Sequence, residues 1–262
     1  MPELPDVAHF KKYLDATSLH QTIRRAVVHD DDLLEGVSAE RLRKTLKGRS
    51  FTSTQRWGKF LFVELDQGPW LVMHFGMTGY LDYAENAQKN PDHGRVTFSF
   101  EGDRRLVYVC PRKLGLITIA QNVESFVQAR NLGPDGLDEK LDFNAFRRRL
   151  ANRKGAVKSA LMNQKIMAGI GNLYSDEILF QARIHPSQGV GELNEGQLRA
   201  IHRALRKVLE KAIECNAKIK RLPSSYLLPH RQGDGACPRC HGKLERIKVS
   251  GRTAHLCPRC QK

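Results

Sequence analysis

Through the first half of the chain, apolar residues come in short β-branched and aromatic runs. FLFVEL (60–65), WLVMHF (70–75), RVTFSF (95–100), RRLVYV (104–109) and LGLITIA (114–120) each read as a strand. DQG (66–68) and EGD (101–103) supply turns among them. Strand after strand at this spacing predicts a β-sandwich or barrel, not alternating βα units. Ahead of them, Val7, Phe10 and Leu14 fall at i, i+3 and i+7, the apolar face of a helix. NLGPDG (131–136) reads as a linker, and beyond it the period becomes helical. Phe143, Phe146 and Leu150 start one helix, and Val157 and Leu161 continue its stripe. GIGN (169–172) interrupts before a second amphipathic stretch, 173–182, that ends near His185-Pro186. A third helix runs from Gln197 to about Cys215, carrying Leu198, Ile201, Leu205, Val208, Leu209 and Ile213. The coarse picture is two domains, β then α, with a small module at the end.

Charge narrows the choice of partner. The 262 residues carry a formal charge of +15, from 43 Lys and Arg against 28 Asp and Glu, spread along the whole chain. Such an excess favours a polyanion, and nucleic acid ahead of a membrane surface. No basic amphipathic helix with an aromatic face stands out, and no apolar run is long enough to cross a bilayer. The opening residues PELPDVAHFKK lack the apolar core of a secretory signal, which points to the cytoplasm. There, six cysteines are metal ligands or free thiols rather than disulfides.

Four of the six form a module. Cys237-Pro-Arg-Cys240 and Cys257-Pro-Arg-Cys260 stand sixteen residues apart. Two thiolates two residues apart grip one ion from a tight turn, and a hairpin brings the second pair opposite. Four sulfurs complete tetrahedral zinc and leave no open position, so the site is structural. Residues 243–249 and 253–256 make two strands joined at Ser250-Gly251-Arg252. Arg252 at that tip is either a nucleic-acid contact or a solvated turn residue. Cys110 and Cys215 lack such partners and read as packed thiols.

The other terminus begins Met1-Pro2-Glu3-Leu4-Pro5. Removal of Met1 before a small residue would leave Pro2 as a free secondary amine. An internal proline nitrogen is a tertiary amide, but a terminal one can attack an aldehyde carbon to form an iminium ion. An α-amino group also titrates near ~8, well below lysine. Glu3 beside it can move protons at the same carbon. The plain alternative is loop punctuation at a frayed terminus.

Taken in order, PELPDV, RWGKFLFVEL, MHFGMTG, CPRKLG, MAGIGNLYSDEILF with IHP following, and the four-cysteine finger resemble the formamidopyrimidine-DNA glycosylase/endonuclease VIII family of base-excision repair enzymes. The resemblance runs from Pro2 to Lys262. It implies an α+β multidomain fold: an N-terminal two-layer β-sandwich with flanking helices (1–130), a helix-two-turns-helix domain (131–228) and a β-hairpin zinc finger (229–262). It further implies a bifunctional glycosylase and AP lyase acting as a monomer on double-stranded DNA with damaged bases or abasic sites. Pro2 matches the nucleophile, Glu3 the proton donor to the opening sugar, and Lys59 the lysine beside the lesion phosphate. His74, Asn172 and Arg252 match further phosphate ligands. Met77, Arg112 and Leu114 match the residues that fill the hole left by an extruded nucleotide, Arg112 facing the orphaned base. Cys237, Cys240, Cys257 and Cys260 match the ligands of one structural zinc. Outside this context, Met77 and Leu114 read as core, and Lys59 and Arg112 as solvated charges.

Three stretches depart from the family's usual pattern. Asp6 stands where glutamate is more typical. CPRKLG replaces the common DPRRFG, so Cys110 removes a carboxylate, Lys113 keeps a cation and Leu114 replaces an aromatic wedge. The segment NAKIKRLPSSYLLPHRQGDGA between the third helix and Cys237 is too short for the cover that usually closes over flipped 8-oxoguanine. Two rival readings remain: a catalytically silent DNA-binding protein, and a transcription-type zinc ribbon that leaves the N-terminal motif unexplained.

Overall fold

A computed structural model describes residues 1–66, 68–85, 90–231 and 235–262. Gln67 of the expected DQG turn and Gln232, Gly233 and Asp234 before the finger lie outside the described residues. The chain forms two compact units, Met1–Pro2 with Asp6–Asn131, and Glu3–Pro5 with Leu132–Lys262.

Helix α1 (Leu4–Thr17) is followed in the first unit by β1 (Arg25–Val28), α2 (Ala39–Leu46), β2 (Phe51–Trp57), β3 (Phe60–Leu65), β4 (Trp70–His74), β5 (Tyr80–Glu85), β6 (Gly94–Ser99), β7 (Arg104–Val109), β8 (Leu116–Ala120) and α3 (Val123–Ala129). The strands make two four-stranded antiparallel sheets, ordered β1-β6-β7-β5 and β2-β3-β4-β8. Alternate residues of both sheets enter one core. Val96, Phe98, Leu106 and Tyr108 from one meet Phe51, Leu61, Val63, Leu71 and Met73 from the other. Each such side chain contributes about 1.5–3 kcal/mol on full burial. The middle strand β3 is apolar on both faces, because Phe60 and Phe62 pack edge-on against Phe126 of α3. This is the two-layer sandwich with flanking helices. The sequence reading missed β1, β2, β5, α2 and α3, and it began the last strand two residues early.

The second unit contains α4 (Phe143–Leu150), α5 (Val157–Met162), α6 (Asn172–Ala182), α7 (Glu195–Glu214), β9 (Glu245–Val249) and β10 (Arg252–Leu256). The stripe expected to run through Val157 and Leu161 is two helices. Asn152 at φ +60° and Gly155 at φ +90° turn the backbone left-handed between them. The NLGPDG segment is also no free linker. Gly133 N–H donates to Gln164 O at 2.8 Å and Gly136 N–H to Ala168 O at 2.9 Å. A Cβ on Gly133 would lie 2.5 Å from Ile166 O, so only glycine permits that approach. Helix α7 starts at a capping box formed by Asn194 and Gln197. Its apolar face then meets α4, α5 and α6 in one core.

Candidate functional site

The second unit places one group of candidate residues around the start of α6. Gly171 precedes that helix without a side chain to cap it. The cap comes instead from Glu3, at the far end of the sequence. Its Oε2 accepts from Gly171 N–H at 2.6 Å and Tyr174 N–H at 3.3 Å, and its Oε1 from Leu173 N–H at 2.7 Å. Unpaired amides at a helix N-terminus favour an anion, which explains a carboxylate only 1% exposed. The fit is tight, since a Cβ on Gly171 would fall 2.5 Å from the Glu3 carboxyl carbon. Asn172, the first residue of α6, has a buried side-chain Oδ1 with no hydrogen-bond partner. A cavity of about 810 Å³ adjoins Leu173, with Ile219, Leu228 and Pro229 as apolar lining and Lys218, Lys220 and Arg231 as cations.

Beneath this surface lies a charged network that the sequence reading did not anticipate. Lys158 of α5 is fully buried and pairs with Asp176 of α6, while also donating to Asn172 O at 3.2 Å and Ser175 Oγ at 3.1 Å. Burial lowers the Lys158 pKa, and Asp176 opposes that shift. Asp176 Oδ2 accepts from Arg231 at 3.1 Å and from the His255 backbone N–H at 3.0 Å. One carboxylate therefore joins α5, α6, the segment before the finger and β10. A lone lysine within an apolar stripe gave no signal of this.

The finger strands β9 and β10 pair antiparallel across Ser250 and Gly251, both left-handed at φ +47° and +77°, as a two-residue hairpin turn requires. Arg252 is exposed at the first position of β10, opposite Val249. The turn is tied to α5 by Ser159 Oγ donating to Ser250 Oγ at 2.8 Å. At the other end, Cys237, Cys240, Cys257 and Cys260 bring their sulfurs within 4.8 Å of one another. The Cys237–Cys260 and Cys240–Cys257 sulfurs are 3.8 and 3.5 Å apart. A tetrahedron with metal–sulfur bonds of ~2.3 Å has edges of about 3.8 Å, so the donor set fits zinc. Cys110 is buried, and the Cys215 thiol donates to Arg221 O at 3.2 Å.

The first unit carries the remaining candidates on strand ends. Lys59 sits in the two-residue turn between β2 and β3, where Gly58 takes φ +57°, and it is buried rather than solvated. His74 ends β4, opposite Phe60 in the register. Burial, and then the Lys59 charge, lower the His74 pKa to about 4, so the imidazole is neutral near pH 7. Its Nδ1 accepts from Gly76 N–H at 3.3 Å, which leaves the proton on Nε2 as an available donor. The next turn presents Met77, 37% exposed, and the β7–β8 loop presents Arg112 and Leu114, the latter 52% exposed. Neither apolar side chain is core. The two loops touch backbone to backbone: a Cβ on Gly76 would lie 2.4 Å from the Leu114 carbonyl. Pro2 is half-buried, one residue before Glu3.

Residues 1–117 match the formamidopyrimidine-DNA glycosylase N-terminal domain, 132–224 its H2TH domain, and 236–262 the zinc finger found in FPG and IleRS. The chain belongs to the formamidopyrimidine-DNA glycosylase family. It is 35% identical to the formamidopyrimidine-DNA glycosylase of Moorella thermoacetica, over 99% of this chain and 92% of that one. It is 30% identical to the Arabidopsis thaliana relative, over 100% of this chain and 71% of that protein. Among solved structures, Lactococcus lactis formamidopyrimidine-DNA glycosylase bound non-covalently to abasic-site DNA superposes with a TM-score of 0.91. That match is 29% identical and covers 99% of both chains. The α+β multidomain fold is thus the family's, and the four cysteines are the ligands of one structural zinc.

Proposed function

We propose that the chain is a bifunctional DNA glycosylase and AP lyase that excises oxidised or ring-opened bases from duplex DNA and then cuts the strand. The observation that carries this is the Glu3 carboxylate, fixed by three amides at the start of α6 directly after Pro2. With Met1 removed, the Pro2 nitrogen attacks C1′ and the N-glycosidic bond breaks, its electron pair leaving with the base. The Glu3 carboxylate takes the proton from the Pro2 nitrogen and passes it to O4′ as the sugar ring opens, and the nitrogen lone pair closes the iminium at C1′. Loss of a 2′ proton then expels the 3′ phosphate, and a second elimination expels the 5′ phosphate. Zinc supplies rigidity to the finger and no group to these steps.

In this reading residues 1–130 carry the chemistry, 131–228 grip the duplex and 229–262 form the finger. Lys59, His74, Asn172 and Arg252 hold phosphates, with neutral His74 donating from Nε2. Met77, Arg112 and Leu114 fill the gap in the stack, and the cavity beside Leu173 receives the flipped base. Extrusion costs a few kcal/mol, which these contacts offset. The protein works as a monomer in the cytoplasm, associated with the nucleoid if the host is bacterial. Two variants test the assignment on matched duplexes. Pro2→Gly is expected to lose excision and lyase activity by orders of magnitude. Glu3→Gln is expected to lose excision yet keep part of the cleavage of preformed abasic sites, whose sugar is already partly open. Excision by Glu3→Gln at the native rate would contradict the reading.

A further inference from the structure

The loop between β7 and β8 carries Arg112 and Leu114, and it begins with Cys110, which has no charge to hold it. A carboxylate reaches the same loop from elsewhere. Asp30, just beyond β1, places Oδ2 2.6 Å from Lys113 Nζ and 3.2 Å from Arg95 Nη1. Arg95 of β6 turns its remaining nitrogens on the loop backbone. Nε donates to Cys110 O at 3.0 Å and Nη2 to Pro111 O at 3.4 Å. Lys113 also reaches Asp32 at 3.3 Å. The residues on either side of Arg112 are therefore both tied to Asp30, Pro111 through Arg95 and Lys113 through its own ammonium.

Most surface ion pairs contribute little, because water competes and two long side chains must be ordered. This one differs in two respects. The Asp30 and Arg95 side chains are only 10% and 17% exposed, and the forked guanidinium bridges a carboxylate and two carbonyls at once. Lys113 itself stands at φ +51°, a left-handed conformation that a lysine rarely keeps without help. Asp30, Asp31 and Asp32 are close enough together to suggest a cation site, but Lys113 and Arg95 already supply the positive charge there.

We propose that Asp30 is a positioning residue for the gap-filling loop. By gripping Arg95 and Lys113 it holds Arg112 and Leu114 in one presented conformation. Asp30 acts through Arg95 and Lys113 rather than on the reacting atoms. The inference rests on the role given above to Arg112 and Leu114.

The test uses the full-length, zinc-loaded protein and a duplex with 2-aminopurine opposite a tetrahydrofuran abasic analogue. Fluorescence rises as the opposite base unstacks, and excision of a ring-opened purine paired with C or A is measured in parallel. Asp30→Asn is expected to slow both the fluorescence rise and excision on the order of ten-fold, as loose placement of a working group does. It should also narrow the C-against-A ratio, while Asp30→Glu restores most of each. Lys113→Met should act in the same direction, and the double variant should be little worse than either single one. Lys113 is exposed, so its variant carries the test should Asp30→Asn fail to fold. A lowered melting temperature with a native fluorescence rise and a native C-against-A ratio would overturn the proposal. A native protein that neither excises nor unstacks the opposite base would instead remove the reading beneath it.

Discussion

His74 illustrates how burial changes what a side chain can offer. Its pKa falls to about 4 because desolvation and the Lys59 charge both disfavour the imidazolium. The ring is then a neutral donor with its tautomer fixed by Gly76, which suits one directed bond to a phosphate oxygen. The same shift predicts a pH dependence of stability. Between the unfolded value of 6.5 and about 4, the unfolded chain takes up a proton that the folded one refuses. Stability is therefore full above 6.5 and falls as the pH drops toward 4. Urea unfolding at pH 7, 6, 5 and 4.5 is expected to show a steeper loss for the native protein than for His74→Gln. Parallel curves would contradict the assignment. Glu3 teaches a related lesson about legibility. Its identity and its neighbour Pro2 could be read as chemistry from the sequence. That it caps a helix 168 residues away could not, because nothing local to either segment encodes the contact.

Legibility varied with how each element is buried. β3 and β4 are buried on both faces, and they stood out as continuous apolar runs. β1 is four residues long and β5 alternates weakly, so neither rose above the turns around it. Helix α2 has only Leu42 and Leu46 to bury, although the Ser38 cap before it was a usable signal. The break between α4 and α5 was hidden because Asn152 is not an obligatory helix breaker. In the finger, spacing sufficed to pick out the four ligands, but not the tie from Ser159 to Ser250 or the Asp176 contact with β10. Those ties make a testable link between metal and DNA grip. Metal analysis is expected to give about one zinc per chain, as four thiolates imply. Cys237→Ser should weaken duplex binding, because Arg252 loses its fixed strand. Excision by the loaded protein should persist in EDTA, since no metal-bound water takes part. Loss of chemistry in EDTA at native DNA affinity would point to a catalytic metal instead.

Across the chain, a charge of +15 supplies general affinity for a polyanion, and selectivity must come from the pocket and the wedge. Here the segment between α7 and the finger folds into two single turns, Ile219–Arg221 and Leu228–His230, beside the 810 Å³ cavity. Discriminating 8-oxoguanine from guanine depends on donors and acceptors placed around the flipped base. Among the described residues of that segment few groups remain to form such a cover, and aliphatic Leu114 forgoes stacking of about 1–3 kcal/mol per base. Ring-opened purines, hydantoins and oxidised pyrimidines stack less well and need less help to leave the helix. They are expected to be excised faster than 8-oxoguanine opposite cytosine in single-turnover assays. A rate for 8-oxoguanine equal to or above theirs would show that other residues furnish its recognition.

All of this chemistry presupposes a covalent bond from Pro2 to the sugar. Sodium borohydride added to the protein with an abasic-site duplex reduces any such iminium to a stable amine. Proteolysis and mass measurement then locate the adduct. One DNA strand per chain is expected, attached to the N-terminal peptide through Pro2 with Met1 absent. An adduct on a lysine such as Lys59 or Lys158, or no adduct from a protein that still cuts the strand, would contradict it.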